Sequence, residues 1–130
     1  MAVRLGITLG DVTGIGPEIT LKALAALANE PGPDFLLIGD PDLIERENRH
    51  HGLPLTLEPD PGRFQVAPRT SDPLPPDLTP GHPAAAKAAV EWLRHGARLC
   101  LERRLAGLVT APVNKHAIRR AGVEFIGQTE

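Results

Sequence analysis

Cysteine is nearly absent from this chain, and the single Cys100 excludes an internal disulfide. Aromatic residues are scarce as well. With one Trp, three Phe and no Tyr, a core has to be assembled mainly from Ala, Leu, Ile and Val, a palette that suits helices packed on a parallel sheet. No apolar run approaches the roughly 20 residues needed to cross a bilayer, so no membrane span is expected. Neither sign of charge is in excess: 14 Lys and Arg face 16 Asp and Glu, and a net charge of -2 gives no electrostatic reason to expect a nucleic-acid or anionic-membrane surface. The chain passes from Met1 straight into a strand-like run without an apolar signal segment. With the lone thiol, this points to a reducing cytoplasm.

What is present is an ordinary globular balance, 42% hydrophobic and 23% charged over 130 residues, enough for a single α/β unit with a true core. Val3 to Leu9 reads as a strand ending in a Gly-rich turn, and Pro17 to Ala28 sets Ile19, Ala23, Leu24 and Leu27 on a helical stripe. Pro17 suits a first helical position because its missing N–H would go unpaired there, and Glu18 complements the dipole in the first turn. Asp34 to Gly39 predicts a second, buried strand, since Phe35-Leu36-Leu37-Ile38 is too continuous for one wet face. Asp40 or Asp42 can cap a helix running to about His51.

Residues 52–81 hold most of the 14 prolines, which excludes a regular helix or a central strand there. Leu53 to Leu57 and Phe64 to Ala67 are candidate edge strands, and the rest of about 58–81 is expected to be a surface excursion. From Pro83 to about Arg103, Ala85, Ala88, Ala89, Trp92 and Leu93 define the apolar face of a long helix. Cys100 falls on its buried side as a small core residue, and Arg103-Arg104 complement the dipole at its end. Leu105 to Thr110 predicts another buried strand, broken by Pro112, after which Asn114 can cap a short helix ending near Gly122. This alternation predicts a mostly parallel sheet with helices on both faces.

Three places could carry chemistry. Gly10, Gly14 and Gly16 suggest a nucleotide loop, but Ile19 stands where a dinucleotide fingerprint needs its last glycine, and no Walker A triplet occurs. Two readings stay open: a tight turn with a helix cap, or a backbone cradle at a helix N-terminus. Asp11 and Glu18 would repel a phosphate there, so they suit backbone donors, a hydroxyl or a cation. The loop after Thr110 lies where a parallel strand ends, the usual place for a ligand. Asn114 could donate to a substrate oxygen and Lys115 could contact a phosphate or carboxylate, or simply be solvated. Gly127-Gln128-Thr129-Glu130 offers an amide, a hydroxyl and a carboxylate after a glycine, on composition alone only a turn. His50, His51, His82, His95 and His116 show no metal-ligand spacing, so no metal site is assigned to them.

Thr8-Leu9-Gly10-Asp11-Val12-Thr13-Gly14-Ile15-Gly16-Pro17-Glu18, the Ala-rich Gly81 to Leu101, Val109 to Lys115, and Gly127-Gln128-Thr129-Glu130 stand in the order found in the PdxA family of vitamin B6 biosynthesis, which the chain resembles. Val12 and Thr13 replace the family's Pro-Ala. The resemblance implies a fold similar to isocitrate and isopropylmalate dehydrogenases, with this chain its N-terminal portion, and a homodimer that shares active sites across its interface. It implies NAD- or NADP-dependent oxidation of 4-hydroxy-L-threonine 4-phosphate and decarboxylation of the 3-oxo acid, with a divalent metal as Lewis acid.

By the same resemblance Gln128 and Thr129 contact substrate, and Asp11, Asn114 and Lys115 belong to substrate-side loops. Gln128 takes the place of the family's His and cannot carry its positive charge. The family's metal-binding histidines, phosphate-binding residues and most of its cofactor site lie beyond the position of Glu130. The catalytic residues are therefore not among these 130, and the chain alone is expected to be inactive and to bind neither cofactor nor metal fully. The alternatives are a related dehydrogenase of another phosphorylated hydroxy acid or a diol, and a non-catalytic ligand-binding or scaffold protein.

Overall fold

The computed structural model describes residues 3–53, 55–57, 62–70 and 72–124. The apolar run at the amino end forms strand β1 (Arg4–Thr8), and Pro17 opens helix α1 (Gly16–Leu27) as its sequence position predicts. Strand β2 (Asp34–Ile38) follows, then α2 (Pro41–His50), β3 (Phe64–Val66), α3 (Pro83–Leu101), β4 (Gly107–Thr110) and α4 (Lys115–Arg120). All pairings are parallel and the strand order is β3-β2-β1-β4. The chain therefore winds outward from β1 through β2 to β3, then returns along α3 to place β4 on the other side of β1.

Pleating assigns the helices to faces. A Cβ on Gly96 of α3 would stand 2.6 Å from Leu108 and 3.3 Å from Ile38, so these side chains point at α3, and the missing Cβ lets that helix sit close. Their neighbours Val109 and Leu37 point the other way, as does Ile7, which shares a hollow with Thr20 and Leu24 of α1. Helix α2 packs on α1 and α4 on α3, so both faces are covered, as expected. Leu9, Leu21, Leu37 and Ile44 are fully buried and Trp92 is 3% exposed. Each such side chain contributes about 1.5–3 kcal/mol by leaving water. Partly buried Cys100 packs against the same core.

Three expectations need correction. Leu53 and residues 55–57 form no strand: Leu55 is buried, and its carbonyl accepts from Asn48 Nδ2 at 2.9 Å instead of joining a ladder. β4 is not a buried strand but an edge, half exposed because β1 is its only partner among the described residues. Helix α3 stops at Leu101, where Arg103 adopts a left-handed φ of 61° and Arg104 N–H bonds back to Leu99 O at 2.9 Å. The Pro-rich excursion, largely exposed over residues 72–80, is also anchored. Asp40, 4% exposed, accepts from Leu74 N–H at 2.8 Å and pairs with Arg69 at 3.1 Å, while its other task is to cap α2 through Asp42 N–H at 3.0 Å. Asp40, rather than Asp42, is thus the helix cap.

Beside α1, Ile19, Leu27 and Val109 are 44%, 40% and 50% exposed and border an apolar hollow of about 410 Å3. Among the described residues nothing covers this face, and the open edge of β4 runs along it.

Candidate functional site

The strand order reverses between β1 and β4: α1 leaves β1 toward one face, and α4 leaves β4 toward the other. Diverging connections open a crevice at the carboxyl ends of these strands, where open α/β sheets bind ligands. The residues of that crevice come from loops 9–15, 79–82 and 111–114. They enclose a hollow of about 330 Å3 whose walls include Asp11, Thr13, Gly81, Pro112 and Asn114.

The loops are tied together by short polar links. Gly10 has a φ of +72°, and a Cβ there would stand 2.2 Å from Pro112 O, so only glycine lets the first loop pass so close to the third. Asp11 N–H then donates to that carbonyl at 3.0 Å. Asp11 Oδ1 accepts from Thr13 N–H at 2.8 Å and from the Thr13 hydroxyl at 2.5 Å, and the same hydroxyl accepts from Gly81 N–H at 3.0 Å. One threonine thereby joins the first loop to the turn before α3.

Asp11 is 4% exposed, and its second oxygen, Oδ2, is buried with no hydrogen-bond partner among the described residues. A buried acceptor left unmatched costs about 1–3 kcal/mol, and such a group is a recurrent mark of a functional site. Thr8 Oγ1, at the end of β1, is likewise buried and unmatched. Asn114 caps α4, its Oδ1 accepting from Ala117 N–H at 3.0 Å, which leaves the Nδ2 amide to the hollow. Of the residues expected on the substrate side, Asp11 and Asn114 therefore meet. Lys115 does not line the hollow and is exposed on α4. Gln128 and Thr129 lie outside the described residues.

The sequence reading missed Thr13 and Gly81. Thr13 was visible as a departure from the family's alanine, but its partner stands 68 residues away, and nothing local announces that meeting.

Two histidines have ordinary tasks at helix ends: His82 Nδ1 caps α3 by accepting from Ala84 N–H at 3.0 Å, and His51 meets Glu47 at 3.1 Å. Among the described residues, no group of three or more His, Cys, Asp or Glu side chains could hold a metal, so these residues do not fit one. They do not fit a dinucleotide pyrophosphate either. Pro17 supplies no N–H at the start of α1, and the Asp11 carboxylate stands in the loop before it. No described helix is long and apolar enough to cross a membrane.

Fold and site define a doubly wound α/β unit with a small crevice at its topological switch point, mostly apolar but holding a buried carboxylate. A sequence profile described as pyridoxal phosphate biosynthetic protein PdxA matches residues 33–130, and the chain belongs to this family. It is 36% identical to the 4-hydroxythreonine-4-phosphate dehydrogenase of Methylococcus capsulatus, over 100% of this chain and 41% of that protein. It is also 36% identical to the D-threonate 4-phosphate dehydrogenase of Cupriavidus necator, over 97% of this chain and 40% of that one. The crystal structure of a 4-hydroxythreonine-4-phosphate dehydrogenase from Burkholderia phymatum superposes with a TM-score of 0.82 at 27% identity, covering 100% of this chain and 42% of that chain. The α/β fold expected from the sequence is thereby shown. The chain spans about two fifths of the length of the relatives it matches.

Proposed function

We propose that these residues form the substrate-side loops of an NAD- or NADP-dependent dehydrogenase acting on 4-hydroxy-L-threonine 4-phosphate in pyridoxal phosphate biosynthesis. The observation that carries this reading is the half-satisfied, buried carboxylate of Asp11 where three loops converge, in a chain of the PdxA family. A nicotinamide cofactor, held by residues outside these 130, would supply the hydride acceptor for oxidation of the secondary alcohol, with decarboxylation of the 3-oxo acid to follow. Asp11 orients the ligand's hydroxyl, directly or through one water. The Asn114 amide donates to a ligand oxygen, Lys115 approaches the phosphate from outside the hollow, and Gln128 and Thr129 add hydrogen bonds. Metal, basic phosphate contacts and most of the nicotinamide site come from outside these residues. The 130 residues alone are therefore inactive, and the complete enzyme works as a cytoplasmic homodimer.

The test is reduction of NAD or NADP by the full-length protein, assayed with 4-hydroxy-L-threonine 4-phosphate and with D-threonate 4-phosphate. Asp11→Asn should lower kcat/KM about 10- to 100-fold, as expected when one charge-assisted hydrogen bond worth about 1.5–3 kcal/mol is lost. An unchanged kcat/KM would remove Asp11 from the substrate side.

A second reading has a specific observation behind it. The D-threonate relative is as similar as the 4-hydroxythreonine relative, at 36% identity. Gln128 also replaces the family's histidine. Turnover of D-threonate 4-phosphate alone would assign the chain to that related substrate.

A further inference from the structure

A second hollow, of about 310 Å3, lies on the α3 side of the sheet, and Arg4, Thr70, His95 and Arg104 line it beside apolar residues such as Leu36 and Leu99. Arg4 opens β1 and Arg104 precedes β4, so both stand toward the amino ends of their strands. The loops around Asp11 gather at the carboxyl ends, and the two sites share no lining residue.

Three cationic or protonatable side chains converge here with little to balance them. Arg4 Nη2 donates to the buried Gln65 Oε1, but Arg4 Nε is buried without a partner among the described residues. Asp34, its register neighbour on β2, makes no ion pair with it. Arg104 is 65% exposed, and among the described residues its one carboxylate contact is Glu102 at 3.9 Å. Burial holds the His95 pKa below the ordinary histidine value; Arg98 and Arg104 push it the same way, and Glu102 alone opposes. Like charges gathered on a partly dry surface repel unless an anion joins them.

We propose that this hollow binds the phosphate group of a small molecule, at a site separate from the substrate crevice. Guanidinium forks match phosphate oxygens in pairs, the Thr70 hydroxyl adds a donor, and a phosphate raises the proton affinity of His95 and so recruits a further donor. At about 310 Å3 the space lies at the lower end of the roughly 300–1,000 Å3 typical of ligand pockets, which fits a phosphorylated metabolite rather than a dinucleotide.

The full-length protein tests this with inorganic phosphate as the probe, against acetate at the same ionic strength. The His95 imidazole is followed by NMR through a pH titration, and Trp92, on α3 one turn before it, reports by fluorescence. Phosphate should raise the His95 pKa and acetate should not. Arg104→Gln, on an exposed side chain that does not endanger folding, should weaken the phosphate response about five- to tenfold, with Arg104→Lys restoring part of it. Lys115→Gln should leave the response intact, since Lys115 is outside this hollow. A His95 titration unmoved by phosphate, an equal shift with acetate, or a response lost in Lys115→Gln but kept in Arg104→Gln would overturn the proposal.

Discussion

Asp11 and Asp40 are both 4% exposed, yet their surroundings give them different work. Burial of Asp40 favours its neutral form, but hydrogen bonds from Leu74 N–H and Arg69, the Arg69 charge and Asp42 N–H outweigh that and hold its pKa below the usual aspartate value. A carboxylate with a depressed folded pKa stabilises the protein above its unfolded pKa, and the stabilisation is lost as pH falls through the folded value. Asp40→Ala should therefore cost about 2 kcal/mol near neutral pH, through the lost cap and the stranded Leu74 N–H. The difference from the parent should shrink under acid, in urea melts followed by Trp92 fluorescence at neutral pH and below pH 4. A constant difference would remove the pH linkage. Asp11 has only one oxygen engaged among the described residues, and the proposed ligand contact rests on this incompleteness.

At the scale of elements, helix starts were legible and meetings between loops were not. Asp40, His82 and Asn114 begin helices through contacts within three residues of themselves, and Pro17 through its own fixed backbone without a side-chain cap, so local sequence suffices. The Thr13 to Gly81 link, the edge position of β4 and the anchoring of the excursion by Asp40 all depend on residues distant in sequence. Periodicity carries no trace of them. For the same reason the sequence showed that Asp11 and Asn114 follow strand ends, but not that they share a hollow. Thr13→Ala should cost about 1 kcal/mol, and hydrogen exchange at the Gly81 amide should speed up; unchanged protection there would show that the link is not needed. The end of α3 gives a prediction of opposite sign. Arg103 holds a left-handed conformation that glycine adopts without steric cost, so Arg103→Gly should raise stability by about 0.5–1 kcal/mol, measured by thermal melting. A lower melting temperature would show that the Arg103 side chain contributes more than its backbone costs.

Helices lie on both faces of the sheet, but an apolar surface beside α1 and the edge at β4 stay open among the described residues. Residues 1–130 expressed alone should self-associate through β4 and the apolar surface at Ile19, Leu27 and Val109. Val109→Lys, at a position already 50% exposed, should shift sedimentation toward monomer with little loss of stability. Association unchanged by this charge would place the sticky surface elsewhere. The four-strand order also explains why composition alone pointed to the right architecture. Ala, Leu, Ile and Val fill a two-faced parallel sheet, where aromatic residues are needed only sparingly.

The central place of β1 also has a consequence in time. It precedes the other three described strands in the chain, yet it is an inner strand, and the register partner of Leu5 on one side is Phe35 while that on the other is Gly107. Between them the ribosome must deliver β2, the whole excursion and α3. Until then the side of β1 that will form the crevice has its hydrogen-bonding groups unpaired, available to any other extended chain. Closing so long a loop is entropically slow. A nascent chain of this kind depends most on chaperone protection late in its synthesis, and the crevice is among the last features to form.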